Sequence, residues 1–162
     1  MSKPVHPAAV HFPIAFLSLA YSLDILSTLR LPALAAYLPT PTESSRLSTY
    51  LLALGLASAI PAVLTGGQQA LLMISKGGLK DESGSLRPKV KATFTHAILS
   101  DIMLAVTTYV WWAKHNGESA AWIVPVEGLL LASMLVVGGT GGTLTYNYGV
   151  GMSIGKVAKK EL

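Results

Sequence analysis

The chain has 162 residues, of which 51% are apolar and 12% charged, and its mean hydropathy is +0.52. An ordinary soluble domain carries about 25% charged residues, so the composition favours a protein whose solvent is lipid. The absence of cysteine excludes disulfides, thiolate-bound metals, iron–sulfur ligation and cysteine nucleophiles in this chain. The net charge of +4 is too small and too local to indicate nucleic acid as a partner.

Four apolar stretches predict four transmembrane helices. Each is long enough to cross a hydrocarbon core of about 30 Å as a helix. None alternates as a strand does, and lipid admits only helices and closed barrels. We therefore predict an all-α fold: residues 1–162 form one domain, an integral membrane four-helix up-down bundle, in which the first and third helices can face each other. The predicted helices lie at about 8–28, 47–74, 92–113 and 120–146.

Prolines shape the predicted helices. Pro7 and Pro13 disfavour the alternative that the first stretch is a cleaved signal peptide, and Pro13 should bend the first turn because it removes a backbone hydrogen bond. The sequence SerSerArg at 44–46 offers an N-cap for the second helix. Further along that helix, Pro61 and the pair at 66–67 (GlyGly) predict a kink.

The fourth predicted helix contains GGTGG at 138–142. Gly138 and Gly142 have the GxxxG spacing that allows another helix to approach closely. We expect ordinary close packing at these glycines, either inside the bundle or in a homo-oligomer formed through this helix.

The distribution of basic residues predicts the topology. With four spans, both termini and the loop at 76–91 share one side of the membrane. That side carries nine of the 12 Lys and Arg residues, and the positive-inside rule therefore places both termini in the cytoplasm. The three basic residues on the other side are Arg30, Arg46 and Lys114.

Three of the four histidines fall at a similar depth. His6 and His11 open the first helix on the basic side, and His96 lies near the start of the third helix on the same side. Asp101 should lie about 7.5 Å deeper than His96 at 1.5 Å per residue. Ionisable groups inside a span are costly and usually functional. Asp24 of the first helix lies near the far interface. His115 lies on the far side too and is expected in a solvated loop.

This placement leaves several interpretations open. Haem b would take two neutral imidazoles from facing helices, with His11 and His96 as the expected pair and His6 as a substitute. A divalent metal would use His6, His11 and His96, with Asp101 as a fourth ligand. A proton relay or a quinone contact is a third use of imidazole. The simpler alternative is that the histidines cap helix starts and that Asp24 and Asp101 form hydrogen bonds between helices.

Four segments resemble one family. HPAAVHFPIAFL at 6–17, PAVLTG at 61–66, HisAla at 96–97 and GGTGGTLTYNYGVG at 138–151 are together similar to domain-of-unknown-function family 2231. The resemblance implies a small four-span membrane protein and marks His6, His11 and His96, with Asp24, as recurrent polar residues. Some bacterial relatives are joined to a Rieske-type iron–sulfur domain, which favours a redox function. The electron partner of this chain would then be a separate protein.

Three hypotheses of function follow. The first is a b-type haem protein of electron transfer, the second a non-catalytic membrane subunit or scaffold, and the third a carrier of metal or protons. The tail, Lys159-Lys160-Glu161-Leu162, resembles a dilysine retrieval signal. It predicts the endoplasmic reticulum if the source is eukaryotic, and the plasma membrane is expected if it is bacterial.

Overall fold

The structure is a computed structural model and describes residues 5–34, 36–118 and 120–150. Within them the regular structure is helical, which confirms the all-α prediction. Four helical stretches are long and apolar enough to cross a membrane, with α1 and α2 together forming the first. Lys3 and the tail from residue 151, on which the topology and retrieval-signal predictions partly depend, lie outside the described residues. The helices are α1 (Val5–Ala9), α2 (His11–Leu29), α3 (Pro41–Gly77), α4 (Pro88–His115) and α5 (Ala120–Tyr146).

The helix α3 begins at Pro41, earlier than the predicted start at residue 47. The N-cap is Thr40, and the SerSerArg cap predicted at 44–46 is wrong. The Thr40 hydroxyl accepts the Glu43 backbone N–H at 3.4 Å, and Glu43 Oε2 accepts the Thr40 backbone N–H at 2.9 Å. This reciprocal capping box, with proline at the first helical position, extends the helix beyond its apolar segment.

The first span is divided at Val10, between α1 and α2. Pro13 has no backbone N–H to donate to the carbonyl four residues earlier, which weakens the helix at this point. The backbone N–H of Val10 still bonds to the His6 carbonyl at 3.1 Å, and that of Ile14 to Val10 at 3.2 Å. The interruption is therefore local. In contrast, α3 continues as a helix through Pro61.

The four spans form a ring in which α2 packs against α3 and α5, and α4 packs against the same two helices. The helices α2 and α4 are thus diagonal partners that meet through side chains at the centre. Tyr21 of α2 is fully buried there, and its hydroxyl lies 2.5 Å from Thr107 Oγ1 of α4. We call the end with the α3–α4 loop the basic end, and the end with the α2–α3 and α4–α5 connections the opposite end.

The outward faces of the bundle are apolar. Leu129 and Leu135 of α5 are 70% and 80% exposed, and similar side chains cover the other spans. Such surfaces are costly in water and suited to lipid. The α3–α4 loop is polar by contrast. Within it Asp81 accepts hydrogen bonds from Ser83, which lower the pKa of its carboxyl group, and from the Ser85 backbone N–H.

Close packing of α2 on α3 depends on Gly55. A Cβ atom added there would lie 2.6 Å from Cγ of Leu17, which is 1% exposed and has little room to move. In contrast, a Cβ atom at Gly67 of the same helix would meet nothing within 4 Å. Gly55 is therefore the position at which a methyl group would separate the two helices.

We expect Gly55→Ala to lower the melting temperature of the detergent-solubilised protein, because the overpacked contact costs about 1–3 kcal/mol. Gly67→Ala is the matched control. It should be neutral or stabilising, since alanine favours a helix over glycine by about 1 kcal/mol. Equal melting temperatures for the two variants would contradict this account of the α2–α3 contact.

Candidate functional site

Two groups of polar side chains lie inside the bundle. At the basic end lie His6 and His96, each half-buried and hydrogen-bonded to a neighbouring helix, and we call them the histidine pair. At the opposite end, Asp24, Lys114 and Glu127 form an ionic cluster. The buried layer between them includes Leu17 and Leu52.

His6 is positioned by α3. Its Nδ1 lies 2.9 Å from the backbone oxygen of Ala62, and because a carbonyl only accepts, Nδ1 carries the hydrogen. The ring rests against Gly66, where an added Cβ atom would lie 2.9 Å from the imidazole Cε1. The absence of a side chain at Gly66 therefore makes room for the ring. Nε2 is then the unprotonated nitrogen, with its lone pair available to a ligand.

His96 is held in the same way by α5. Its Nδ1 lies 3.0 Å from the Thr140 hydroxyl, whose hydrogen is donated to the Val137 carbonyl at 2.8 Å. The imidazole therefore donates to Thr140, and again Nε2 has the free lone pair. An added Cβ atom at Gly141 would lie 3.0 Å from the imidazole Cε1, so this ring also lies against a glycine.

The two imidazoles belong to different walls of the basic end. His6 and α3 form one wall, and His96 and α5 belong to the other. Among the described residues, α1 has no backbone contact with α5, and the seam between these two helices is open. The two walls are joined by the contacts of α3 with α4 and of α2 with α5.

His11 and Asp101 lie outside this pair. His11 is exposed, and its Nδ1 bonds to the Pro7 carbonyl of the preceding turn at 2.6 Å. Asp101 is exposed on the outer face of α4. Each lies five residues from a member of the pair, which turns it about 140° around a helix of 3.6 residues per turn. The structure thus does not bring together the predicted metal ligands, and no group of three or more His, Asp or Glu residues among the described positions could hold a metal.

Gly138 and Gly142, which were predicted to pack against another helix, make no close contact within the described part of the bundle. A Cβ atom added at Gly138 or Gly142 would meet nothing within 4 Å. The close approach that the sequence assigned to this motif is made at Gly141 instead, by a side chain rather than by a helix. His115, predicted in a solvated loop, is exposed at the end of α4 and stacks on Trp111 with 5.7 Å between ring centroids.

The ionic cluster connects all four spans. Lys114 of α4 forms a salt bridge with Asp24 of α2, donates to Ser48 Oγ of α3 at 2.6 Å, and lies 3.8 Å from Glu127 of α5. Ser48 also donates to Asp24 Oδ1 at 2.7 Å. The predicted alternative for Asp24, a hydrogen bond between helices, is therefore present.

Glu127 occupies the innermost position of the cluster. Its side chain is 0% exposed, and none of the described groups forms a hydrogen bond with either carboxylate oxygen. A cavity of about 490 Å³ lies next to the cluster, with Asp24 and Lys114 in its wall. The wall also contains polar residues at the ends of α2 and α3 and in the helix connections, which are Ser27, Thr28, Arg30, Ser45 and Glu118.

Sequence reasoning missed Lys114 and Glu127. Lys114 was counted only as one of the three basic residues on the far side, whereas its side chain is 6% exposed and paired with Asp24. Glu127 received no role, although a carboxylate inside an apolar stretch was the available signal.

We expect Lys114→Met to destabilise the protein strongly, by about 3–5 kcal/mol, because it leaves the buried carboxylate of Asp24 without a cation. Lys91→Met is the matched control, since it makes the same change at an exposed position of the same helix. Thermal unfolding in detergent measures both.

The double variant Asp24→Asn/Lys114→Met should recover part of the lost stability, because it removes the unpaired charge together with its partner. A double variant no more stable than Lys114→Met would contradict the pairing.

Comparison with known proteins gives one match. Neither a curated protein nor a solved structure matches the chain. The family described as predicted membrane protein (DUF2231) matches residues 2–154, which is nearly the whole chain. This agrees with the four spans and with their apolar outer faces. The protein belongs to domain-of-unknown-function family 2231, a family of predicted membrane proteins.

Proposed function

We propose that the protein is a membrane-embedded redox protein that binds haem b through His6 and His96. The observation that carries the proposal is the state of the two imidazoles. Both Nδ1 atoms donate to fixed oxygens of neighbouring helices, and both Nε2 atoms keep a free lone pair. Metal-binding histidines are typically oriented in this way, since a hydrogen bond at one nitrogen fixes the ring and its tautomer.

The surroundings of the pair suit a planar apolar group. The two rings stand on separate walls, and within the described residues α1 and α5 make no contact with each other. At this depth α5 carries Gly138, Gly139, Gly141 and Gly142, and such a wall has few side chains. Bound haem would supply one-electron chemistry, with the potential set by its axial ligands and by burial. The chain's own contribution would be to hold both imidazoles neutral and in fixed orientation.

The proposed orientation follows from charge. The basic end is placed in the cytoplasm, because the loop between α3 and α4 contains or adjoins Lys76, Lys80, Arg87, Lys89 and Lys91. The opposite end retains only Arg30 and Arg46 as basic residues outside the ionic cluster. The redox partner would then be a separate cytoplasmic or membrane protein that reaches the basic end.

The test is the visible absorption spectrum of the full-length protein, purified in detergent from haem-replete cells. We expect a Soret band that is lost in His6→Ala and in His96→Ala. The matched controls are His11→Ala and His115→Ala, which remove exposed imidazoles and should leave the band unchanged.

A colourless wild-type protein would overturn the proposal. A band lost in His11→Ala but kept in His6→Ala would show that His11 binds the haem and that His6 does not. Melting temperatures of the four variants separate loss of the ligand from loss of the fold.

A second candidate function is assembly as a non-catalytic subunit, with a second copy of the chain as the simplest partner. It is supported by the open surface at Gly138 and Gly142, and by the exposed Asp101 near the middle of α4. A carboxyl group facing lipid at that depth costs about 2.5–3.5 kcal/mol on insertion scales, and a covering helix would reduce this cost.

Assembly predicts that Gly138→Leu dissociates an oligomer seen by native mass spectrometry. Gly128→Leu, on the same helix and equally open, is the matched control and should leave the oligomer intact. A monomeric wild-type protein would exclude homo-oligomeric assembly. Loss of the Soret band in Gly138→Leu at unchanged oligomeric state would instead favour the haem proposal.

A further inference from the structure

The ionic cluster contains more acidic than basic groups. Asp24 and Glu127 are both buried, and Lys114 is the only cation that the described residues place between them. With both carboxylates ionised the cluster would carry one uncompensated negative charge inside a membrane span. Burial of an unpaired charge is costly enough that such a group normally takes up a proton or a counter-ion.

The hydrogen bonds favour ionisation of Asp24 over ionisation of Glu127. Asp24 accepts from Ser48 and forms the salt bridge with Lys114, and both interactions stabilise a carboxylate anion. Glu127 has no donor at either oxygen and lies 3.8 Å from the Lys114 ammonium. A neutral carboxylic acid tolerates such an environment far better than an anion does. The proton that would remove the uncompensated charge is therefore best placed on Glu127.

The groups facing Glu127 come from the neighbouring helices. The titratable ones are Asp24 and Tyr21 of α2 and Lys114 of α4, all of which interact with it electrostatically. The α3 contribution to the cluster is the uncharged hydroxyl of Ser48. Since Asp24 and Lys114 also line the cavity at the opposite end, they lie between Glu127 and the polar connections.

We propose that Glu127 is a proton-binding site that exchanges its proton with the cavity at the opposite end through Asp24 and Lys114. The proton passes from the Glu127 carboxyl group to the Asp24 carboxylate beside Lys114 and from there to water in the cavity, and the same route returns it. The site is separated from the histidine pair by the buried layer that includes Leu17 and Leu52, and it does not depend on haem binding.

Infrared spectroscopy of the full-length protein in lipid nanodiscs at neutral pH tests the proposal. A protonated carboxyl group gives a C=O stretching band that is separate from the bands of ionised carboxylates. We expect this band in the wild-type protein and its loss in Glu127→Gln, a neutral side chain of the same shape. Asp101→Asn is the matched control, because it removes the other acid within a span that lies away from the cluster and should leave the Glu127 band unchanged.

Two further measurements do not depend on a variant. Uniform carbon-13 labelling of glutamate should shift the band, whereas a band from aspartate would not move. Transfer to D2O should shift it as quickly as the amides of the α3–α4 loop exchange. The proposal is overturned if the wild-type protein lacks the band, if the band persists in Glu127→Gln, or if it fails to shift in D2O.

Discussion

The Lys114 ammonium is the one group on which the bundle depends most, because it interacts with a side chain from each of the other three spans. In lipid the association of helices gains little from the hydrophobic effect, since lipid tails are as apolar as leucine. Polar contacts and close packing must then hold the helices together. A single buried cation that interacts with two carboxyl groups and a hydroxyl fixes the order of the helices at the opposite end.

Close packing of side chains against glycine complements this ionic contact. Leu17 lies against Gly55, and the two imidazoles lie against Gly66 and Gly141. In each case a side chain from one helix occupies the space that a Cβ atom of another helix would take. The glycines therefore position specific side chains, and at the basic end the positioned groups are the two histidines.

The two polar groups divide the protein into ends with different chemistry. The basic end has two imidazoles whose Nδ1 atoms are hydrogen-bonded to neighbouring helices, which leaves Nε2 of each ring for a ligand that accepts electron pairs. The opposite end has a charged cluster beside a cavity, which suits proton exchange. The buried layer between them consists mainly of apolar side chains such as Leu17, Leu52 and Leu130, with Tyr21 as a titratable member. A direct path for protons or metal through the bundle, as a carrier would need, stays a prediction without support from this layer.

The sequence by itself determined the class of protein, because four long apolar stretches can be stable only as helices in lipid. It also predicted the first and last residues of the fourth transmembrane helix, 120 and 146, and it placed His6 and His96 at a similar depth. Only the tertiary structure decided between His6 and His11. Residues five apart on a helix face about 140° away from each other, so only one of them can face inward, and the docking of α1 on α3 selects His6. The partners of Lys114 and Glu127 come from helices far apart in sequence, and such pairing appears only once the helices are packed.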